Sequence, residues 1–98
     1  MVDVQLLLFD DENEAKFEAH GVTASEVQQV FDKWPRYYRN RPGRRATHVM
    51  VGPTRHGDLL VVPIEPIGTF GDVEDGVWRP VTAFWATPGQ AARYRKGT

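Results

Sequence analysis

The sequence predicts an α+β fold, with two N-terminal helices and a short C-terminal helix packed on a mainly antiparallel sheet of four to five strands. Two observations support this class. Apolar runs of strand length lie near the N-terminus and through the second half of the chain, and one helical stripe of apolar side chains lies between them. A helix with a single apolar stripe buries it against another element, here the sheet. Because 98 residues are the size of one small domain, residues 1–98 are interpreted as a single unit.

The first strand and the first helix are predicted from the N-terminal end of the chain. Apolar residues run almost without interruption through Val4–Phe9, which indicates a buried strand. Asp10 or Asp11 can cap a helix that spans roughly residues 12–20. Gly21 follows it as a residue suited to the left-handed conformation at a helix end.

The second helix has the clearer start signal. Thr23 and Glu26 have the spacing of a capping box, in which each side chain binds the other residue's backbone N–H. Pro35 cannot continue a helix, so the helix is predicted to end before it. The apolar stripe of this helix consists of Val27, Val30, Phe31 and Trp34.

The remaining strands are predicted at 36–41, 46–52, 59–64 and 78–85. The stretch 59–64 is the most hydrophobic, although Pro63 favours a bulge or a sheet edge at its far end. Side chains alternate between two faces along a strand. In the stretch 46–52, one face therefore carries Thr47, Val49 and Val51, and the other carries Ala46, His48 and Met50.

The connections and the last helix follow from turn and cap residues. Residues 41–44 (Arg-Pro-Gly-Arg) have the composition of a turn, and residues 68–77 form a long acidic loop with three glycines. Thr87 and Pro88 suit the first two positions of a short helix that runs to Tyr94.

Composition excludes several classes of protein. The chain has no cysteine, so disulfides and zinc–thiolate sites are excluded. Its apolar runs are far shorter than the ~20 residues of a membrane span. A signal peptide requires a basic region before its apolar run, and no basic region precedes the first apolar run of this chain. We therefore expect a cytoplasmic protein with no membrane partner.

Charge is strongly segregated along the chain although the net charge is −1. Residues 1–32 hold eight acidic side chains and one basic, whereas residues 33–58 hold seven basic and one acidic. Such blocks either neutralise one another across the fold or leave one positive face for an anionic partner.

The stretch from Lys33 to Arg55 interleaves basic and aromatic side chains, a pattern typical of RNA binding. Guanidinium groups bind phosphates in pairs of hydrogen bonds, and unpaired bases stack on aromatic rings. The alternative is a solvated basic loop with Trp34 and one tyrosine in the core. The candidate RNA-binding residues are Arg39, Arg41, Arg44, Arg45, Arg55, Tyr37 and Tyr38.

An ordered set of short motifs covers most of the chain. It comprises HGV at 20–22, VF at 30–31, the hairpin VG…HG-LLVV at 51–62, RPVTA at 79–83 and AT…RY at 86–94. In this order and spacing the chain resembles the BrnT family of bacterial toxin–antitoxin pairs. The resemblance implies a RelE-like fold, ribonuclease activity and an antitoxin protein as partner.

A metal-independent endoribonuclease has to deprotonate the ribose 2′-hydroxyl and stabilise the charge of the phosphorane. His48 or His56 is the candidate for proton transfer, because the imidazole pKa lies nearest neutrality. Arg79, with Arg45 or Arg55, is the candidate for phosphorane stabilisation. We expect no metal and no cofactor. Two structural alternatives stay open: the histidines fill ordinary core and turn positions, and Arg79 pairs with the acidic first helix.

Two other functions remain open beside a ribonuclease toxin. One is a catalytically degenerate RelE-fold module that binds a protein or a nucleic acid. It is favoured by Ala46, Thr47, Pro53 and Phe84, which stand where the family carries charged residues. The other is a small domain of unrelated role with the same α+β plan. A homo-oligomer is compatible with each.

Overall fold

The computed structural model describes residues 4–67 and 76–96. The predicted acidic loop at 68–77 falls mostly outside these residues. In chain order the elements are β1 (Leu6–Leu7), α1 (Asp11–Ala19), α2 (Ala24–Asp32), β2 (Arg36–Arg39), β3 (His48–Pro53), β4 (Leu59–Pro66), β5 (Val77–Pro80), β6 (Phe84–Trp85) and α3 (Pro88–Lys96).

The strands form one mixed sheet in the order β1-β5-β4-β3-β2, with β6 paired to β4 next to β5. Consecutive strands β2 to β5 pair antiparallel, and β6 pairs antiparallel with β4. The pairing of β1 with β5 is parallel, because the two helices carry the chain from β1 to the far side of the sheet before β2 begins. The α+β prediction is confirmed.

Each helix begins with a reciprocal cap that the sequence encodes. The Asp10 carboxylate accepts a hydrogen bond of 2.8 Å from the backbone N–H of Asn13, and the Asn13 side chain accepts one of 3.0 Å from the backbone N–H of Asp10. Equivalent pairs start the other two helices, at Thr23 with Glu26 and at Thr87 with Gln90. These caps fix the helix starts, and the first of them also fixes the position of the Asp10 carboxylate.

The core lies between the two N-terminal helices and one face of the sheet. Phe17 of α1 and Val27 and Val30 of α2 are fully buried against strand residues that face them. The strand residues of this core include Met50, Leu60, Val62, Ile64 and Trp78. The alternate residues of β3 and β4 face the other way, so the sheet presents a second, partly apolar face away from α1 and α2.

Trp34 does not belong to the apolar stripe of α2, contrary to the prediction. The helix ends at Asp32, and Trp34 is 93% exposed with a φ of 53°. Pro35 disfavours a helical conformation for the residue before it, so the chain leaves the helix before the position where Trp34 would reach the core.

The first strand is short and lies at the sheet edge, so the prediction of a continuously buried strand is wrong. Leu7 is buried, whereas Leu6 and Leu8 are 55% and 43% exposed. Strand β1 has a neighbour on one side within the described sheet, and one of its faces remains open to solvent.

The predicted strand at 78–85 is two strands, and Pro63 lies in the central strand rather than at an edge. Strand β4 pairs with β6 through Leu60 and Val61 and with β5 from Ile64 onward. Pro63 stands at the break between these two partners, where its carbonyl accepts a hydrogen bond from Val81. N–H and C=O of a strand residue point to the same side, so the missing proline N–H faces this break and the pairing of β4 with β3 loses no hydrogen bond.

Candidate nucleic-acid interface

A groove of about 790 Å³ lies on the sheet face opposite α1 and α2. Its floor is apolar and comes from the residues that alternate with the core positions of β3 and β4, continued by the chain after β5. These floor residues are Val49, Val51, Val61, Pro63, Val81 and Phe84. The predicted division of strand 46–52 is therefore confirmed for Val49 and Val51 against Met50. It is wrong for Ala46, which was predicted on the Met50 face but lines the groove, because the strand begins only at His48.

The rim of the groove is basic. Four arginines come from the end of β2 and the connection to β3, and a fifth comes from α3. The rim arginines are Arg39, Arg41, Arg44, Arg45 and Arg93. None of the described residues that line the groove is an aspartate or a glutamate. The groove therefore combines an apolar floor with positive charge around it.

Asn40 fixes the connection that carries these arginines. Its side-chain amide donates to the Ala46 carbonyl at 2.9 Å, and its side-chain oxygen accepts from the Arg41 backbone N–H at 2.8 Å. Its backbone N–H also donates to the Thr47 carbonyl at 2.9 Å. Gly43 has a φ of 84°, which glycine adopts without strain. Sequence reasoning missed Asn40, although an asparagine before a Pro-Gly turn is a recognised signal for such side-chain bonds.

The two neighbouring tyrosines of β2 lie on opposite faces of the sheet. Tyr38 is in register with Val49 and lines the groove, where 40% of its surface is exposed. Tyr37 is in register with Met50 and packs against the core, and burial raises the pKa of Tyr37 to about 12. Of the two tyrosines predicted to bind RNA, the groove thus contains Tyr38.

Aromatic and cationic groups also meet where α3 approaches β2. The guanidinium of Arg36 lies 5.3 Å from the centre of the Tyr94 ring, a cation–π contact. Tyr94 lines the groove together with Gln90 and Arg93 of α3. Helix α3 thus forms one wall of the groove.

Arg79 is held by three carboxylates from two parts of the chain, the start of α1 and strand β4. Its Nε and Nη2 donate to the two carboxylate oxygens of Asp10 at 2.6 and 3.0 Å, and its Nη1 donates to Glu65 at 3.1 Å. Nη2 also donates to Glu12. Arg79 is 8% exposed. Of the two roles that the sequence left open for it, the structure shows pairing with the acidic start of α1.

The guanidinium of Arg79 alters the acidity of the groups around it. Its hydrogen bonds lower the pKa of Asp10, which the backbone N–H of Asn13 lowers further. They also lower the pKa of Glu12, where the charge of Arg45 adds to the effect. The bond to Asp10 raises the pKa of Arg79 itself. All of these groups are therefore ionised at neutral pH.

Arg45 belongs both to the groove rim and to this charge cluster. Its Nη2 lies 3.0 Å from a carboxylate oxygen of Glu65 and 3.6 Å from one of Glu12. Its side chain remains half exposed. No carboxylate of the described residues forms an ion pair with Arg39, Arg41, Arg44 or Arg93. These four arginines carry the positive charge that faces the groove.

The candidate catalytic histidines lie at opposite ends of β3. His48 is partly buried at its start, with Nδ1 2.9 Å from the Thr47 hydroxyl and its ring 5.2 Å from Trp78. Burial lowers the pKa of His48, and the charge of Arg39 lowers it further. His56 is exposed in the turn after β3. The length of the strand separates the two by about 17 Å, so they cannot act on one phosphodiester together.

Arg55 lies in that same turn, away from the groove rim. Its backbone N–H donates to the Gln29 side chain at 2.9 Å, which ties the turn to α2. Of the five arginines predicted to bind RNA, the groove lining brings together Arg39, Arg41, Arg44 and Arg45. It does not include Arg55 or Arg79.

Thr82 adds an unsatisfied polar group to the groove. Its hydroxyl is the one buried side-chain polar atom without a hydrogen-bond partner within residues 4–67 and 76–96. Buried hydroxyl groups almost always have a partner. The hydroxyl of Thr82 is therefore a buried polar group below the groove surface that has no partner among the described residues.

No protein-family model matches the chain, and no curated protein matches it significantly. In the described part of the chain, no helix is long and apolar enough to cross a membrane, and no cluster of histidines and carboxylates could hold a metal ion.

The ion pairs of Arg79 predict a loss of stability in acid. Asp10 and Glu12 have lowered pKa values in the folded protein, so the unfolded chain binds protons at a higher pH than the folded chain does. The free energy of unfolding should therefore fall as the pH decreases below about 4.5. Urea unfolding over a pH series measures this, with Arg79→Lys as the comparison. An identical pH dependence in the two proteins would contradict the assignment.

Proposed function

We propose that the protein binds single-stranded RNA in the basic groove, as a divergent relative of the BrnT toxins with a RelE-like fold. One observation supports the proposal most strongly: arginines without a carboxylate partner among the described residues surround an apolar floor. Guanidinium groups bind phosphates, and apolar and aromatic surfaces accept bases. The motif order from residue 20 to 94 supports the family relationship.

A single strand fits this groove better than a duplex. The bases of a duplex are stacked inside and leave the apolar floor without a partner, whereas an unpaired base can contact Val49 or Tyr38.

From the resemblance we also propose that an antitoxin neutralises the protein in the cytoplasm. The groove has no acidic lining residue among those described, so an acidic segment of such a partner can bind the same rim arginines as RNA does. In this proposal, antitoxin and RNA compete for one site.

RNA binding is tested by removing single rim charges. Arg41→Ala and Arg44→Ala should each weaken binding of a fluorescent single-stranded RNA about fivefold or more, because one charge-assisted contact contributes about 1 kcal/mol or more. Lys16→Ala is the control, since Lys16 is exposed on α1, on the other side of the sheet. Equal losses in the control and in the rim variants would contradict the proposed site.

The salt dependence of binding gives a second test. Four rim arginines that each neutralise one phosphate predict a slope near −3 for log affinity against log salt concentration. Removing Arg44 should make this slope less negative by about 0.7, whereas Lys16→Ala should leave it unchanged. A slope near zero would show that phosphates are not bound in the groove.

Metal-independent RNA cleavage is a second candidate, favoured by the state of His48. Its lowered pKa keeps the imidazole neutral at physiological pH, as a general base requires, and Arg39 lies beside it in register. The ring of His48 packs on Trp78 and does not line the groove, so this candidate requires the RNA strand to pass from the rim at Arg39 over the start of β3. In this step, His48 takes the 2′-hydroxyl proton and the 2′ oxygen attacks phosphorus. The bond to the 5′ oxygen breaks, and that oxygen takes a proton from water. The guanidinium of Arg79 already donates its hydrogen bonds to carboxylates, so Arg45 is the better candidate to stabilise the phosphorane.

Cleavage is tested with His48→Ala and His56→Ala in the presence and absence of EDTA. The candidate predicts that His48→Ala abolishes cleavage, that His56→Ala retains it and that EDTA has no effect. Loss of activity with EDTA would contradict a metal-independent mechanism. A wild-type protein that binds RNA without cleaving it would leave the groove as a binding site alone.

A further inference from the structure

Trp34 is presented to solvent in an unusual way. Its side chain is 93% exposed, and its φ of 53° makes it the one non-glycine residue with a positive φ among the described residues. Bulky residues rarely adopt this conformation, because the side chain crowds the backbone. Strained backbone of this kind persists where the surrounding structure holds it, and such positions cluster at functional sites.

The packing of the next residue holds this conformation. Pro35 lies against Gly52 of β3 so closely that a Cβ on Gly52 would be 3.1 Å from both the Pro35 Cβ and a methyl group of Val30. Gly52 therefore permits the close approach of the chain after α2 to the sheet. Because Pro35 is fixed on one side and α2 on the other, the backbone of Trp34 has little freedom.

The residues next to Trp34 in the chain are mostly charged, with the acidic Asp32 and the basic Lys33 and Arg36. Lys33 precedes it, and Arg36 begins β2 two residues later. Of the other exposed large hydrophobic residues, Tyr38 lines the groove, and Leu6 and Leu8 lie at β1, at the opposite edge of the sheet. A protein-binding surface surrounds an exposed tryptophan with further apolar area. An isolated ring beside cationic groups is instead typical of surfaces that stack nucleic acid bases.

We propose that Trp34 is a stacking platform for one unpaired base of the RNA that binds in the basic groove. This inference rests on the proposed RNA binding. Trp34 and the rim residue Arg39 are separated by the length of β2, about 16 Å of extended chain. The backbone of one RNA strand can therefore be bound at the rim while a base further along the strand stacks on Trp34.

The test compares Trp34→Ala and Trp34→Phe with wild type, using single-stranded homopolymers of increasing length. Trp34→Ala should weaken binding of the longer RNAs about 5- to 100-fold, the range for loss of one stacked base. Trp34→Phe should recover part of the lost affinity. In both variants the slope of log affinity against log salt concentration should not change, because no charge is lost. The shortest RNAs, which cannot span from the rim to Trp34, should bind both proteins equally. Leu8→Ala, at the opposite edge of the sheet, is the control.

The outcomes separate this inference from the proposed function. If Trp34→Ala binds all RNAs as wild type does while Arg44→Ala weakens them, the stacking platform is wrong and the groove remains. If wild type binds no RNA, the proposed function fails and the inference fails with it. Because Trp34 is almost fully exposed, Trp34→Ala should unfold at the same urea concentration as wild type. A loss of affinity accompanied by unfolding would also contradict a direct role.

Discussion

Replacement of Arg79 by alanine is expected to lower the free energy of unfolding by about 2–4 kcal/mol, which urea unfolding at pH 7 can measure. The guanidinium is 8% exposed and binds Asp10, Glu12 and Glu65 at once. Without it, three carboxylates repel one another beside the start of α1. We place the cost below that of a fully buried pair, because Asp10 and Glu12 retain access to water.

Two further variants make this prediction specific. Arg79→Lys should recover part of the loss, since the charge returns without the two parallel bonds to Asp10. Arg45→Ala should cost about 1 kcal/mol or less, because this side chain is half exposed. If Arg79→Ala and Arg45→Ala cost the same, the cluster does not depend on Arg79 as the structure indicates.

The second large effect is expected at Phe17. Phe17→Ala should lower the free energy of unfolding by about 3–5 kcal/mol, since the side chain is fully buried between α1 and the sheet. It also loses an edge-to-face contact with Phe9, whose ring centre is 6.1 Å away. Phe31→Ala is the comparison, because Phe31 is partly buried beside the same core. A larger loss at Phe31 than at Phe17 would contradict the packing of α1 on the sheet.

The local elements could be predicted from sequence because their signals lie within a few residues. The capping box of Thr23 and Glu26 and the cap at Thr87 are formed as predicted. The exposure of Trp34 could not be predicted from the helical period. Its spacing places it on the apolar stripe, whereas Pro35 ends the helix before that position is reached.

The features of the candidate site that depend on long-range contacts could not be predicted from the sequence. The basic stretch predicted the groove rim, because its arginines are close in sequence. Tyr37 and Tyr38 could not be told apart, since the register of β2 on β3 decides which ring faces the groove. The pairing of Arg79 joins it to Asp10 across 69 positions of the chain. From the sequence alone, this pairing and phosphate binding were equally compatible roles for Arg79.

The most direct test of the proposed RNA groove uses NMR of valine methyl groups while single-stranded RNA is added. Val49, Val51, Val61 and Val81 line the groove, whereas Val22, Val27, Val30 and Val62 lie in the core on the other side of the sheet. The proposal predicts that the first four methyl signals shift with RNA concentration and that the second four stay nearly constant. Shifts confined to the core valines, or no shift at any valine, would contradict it.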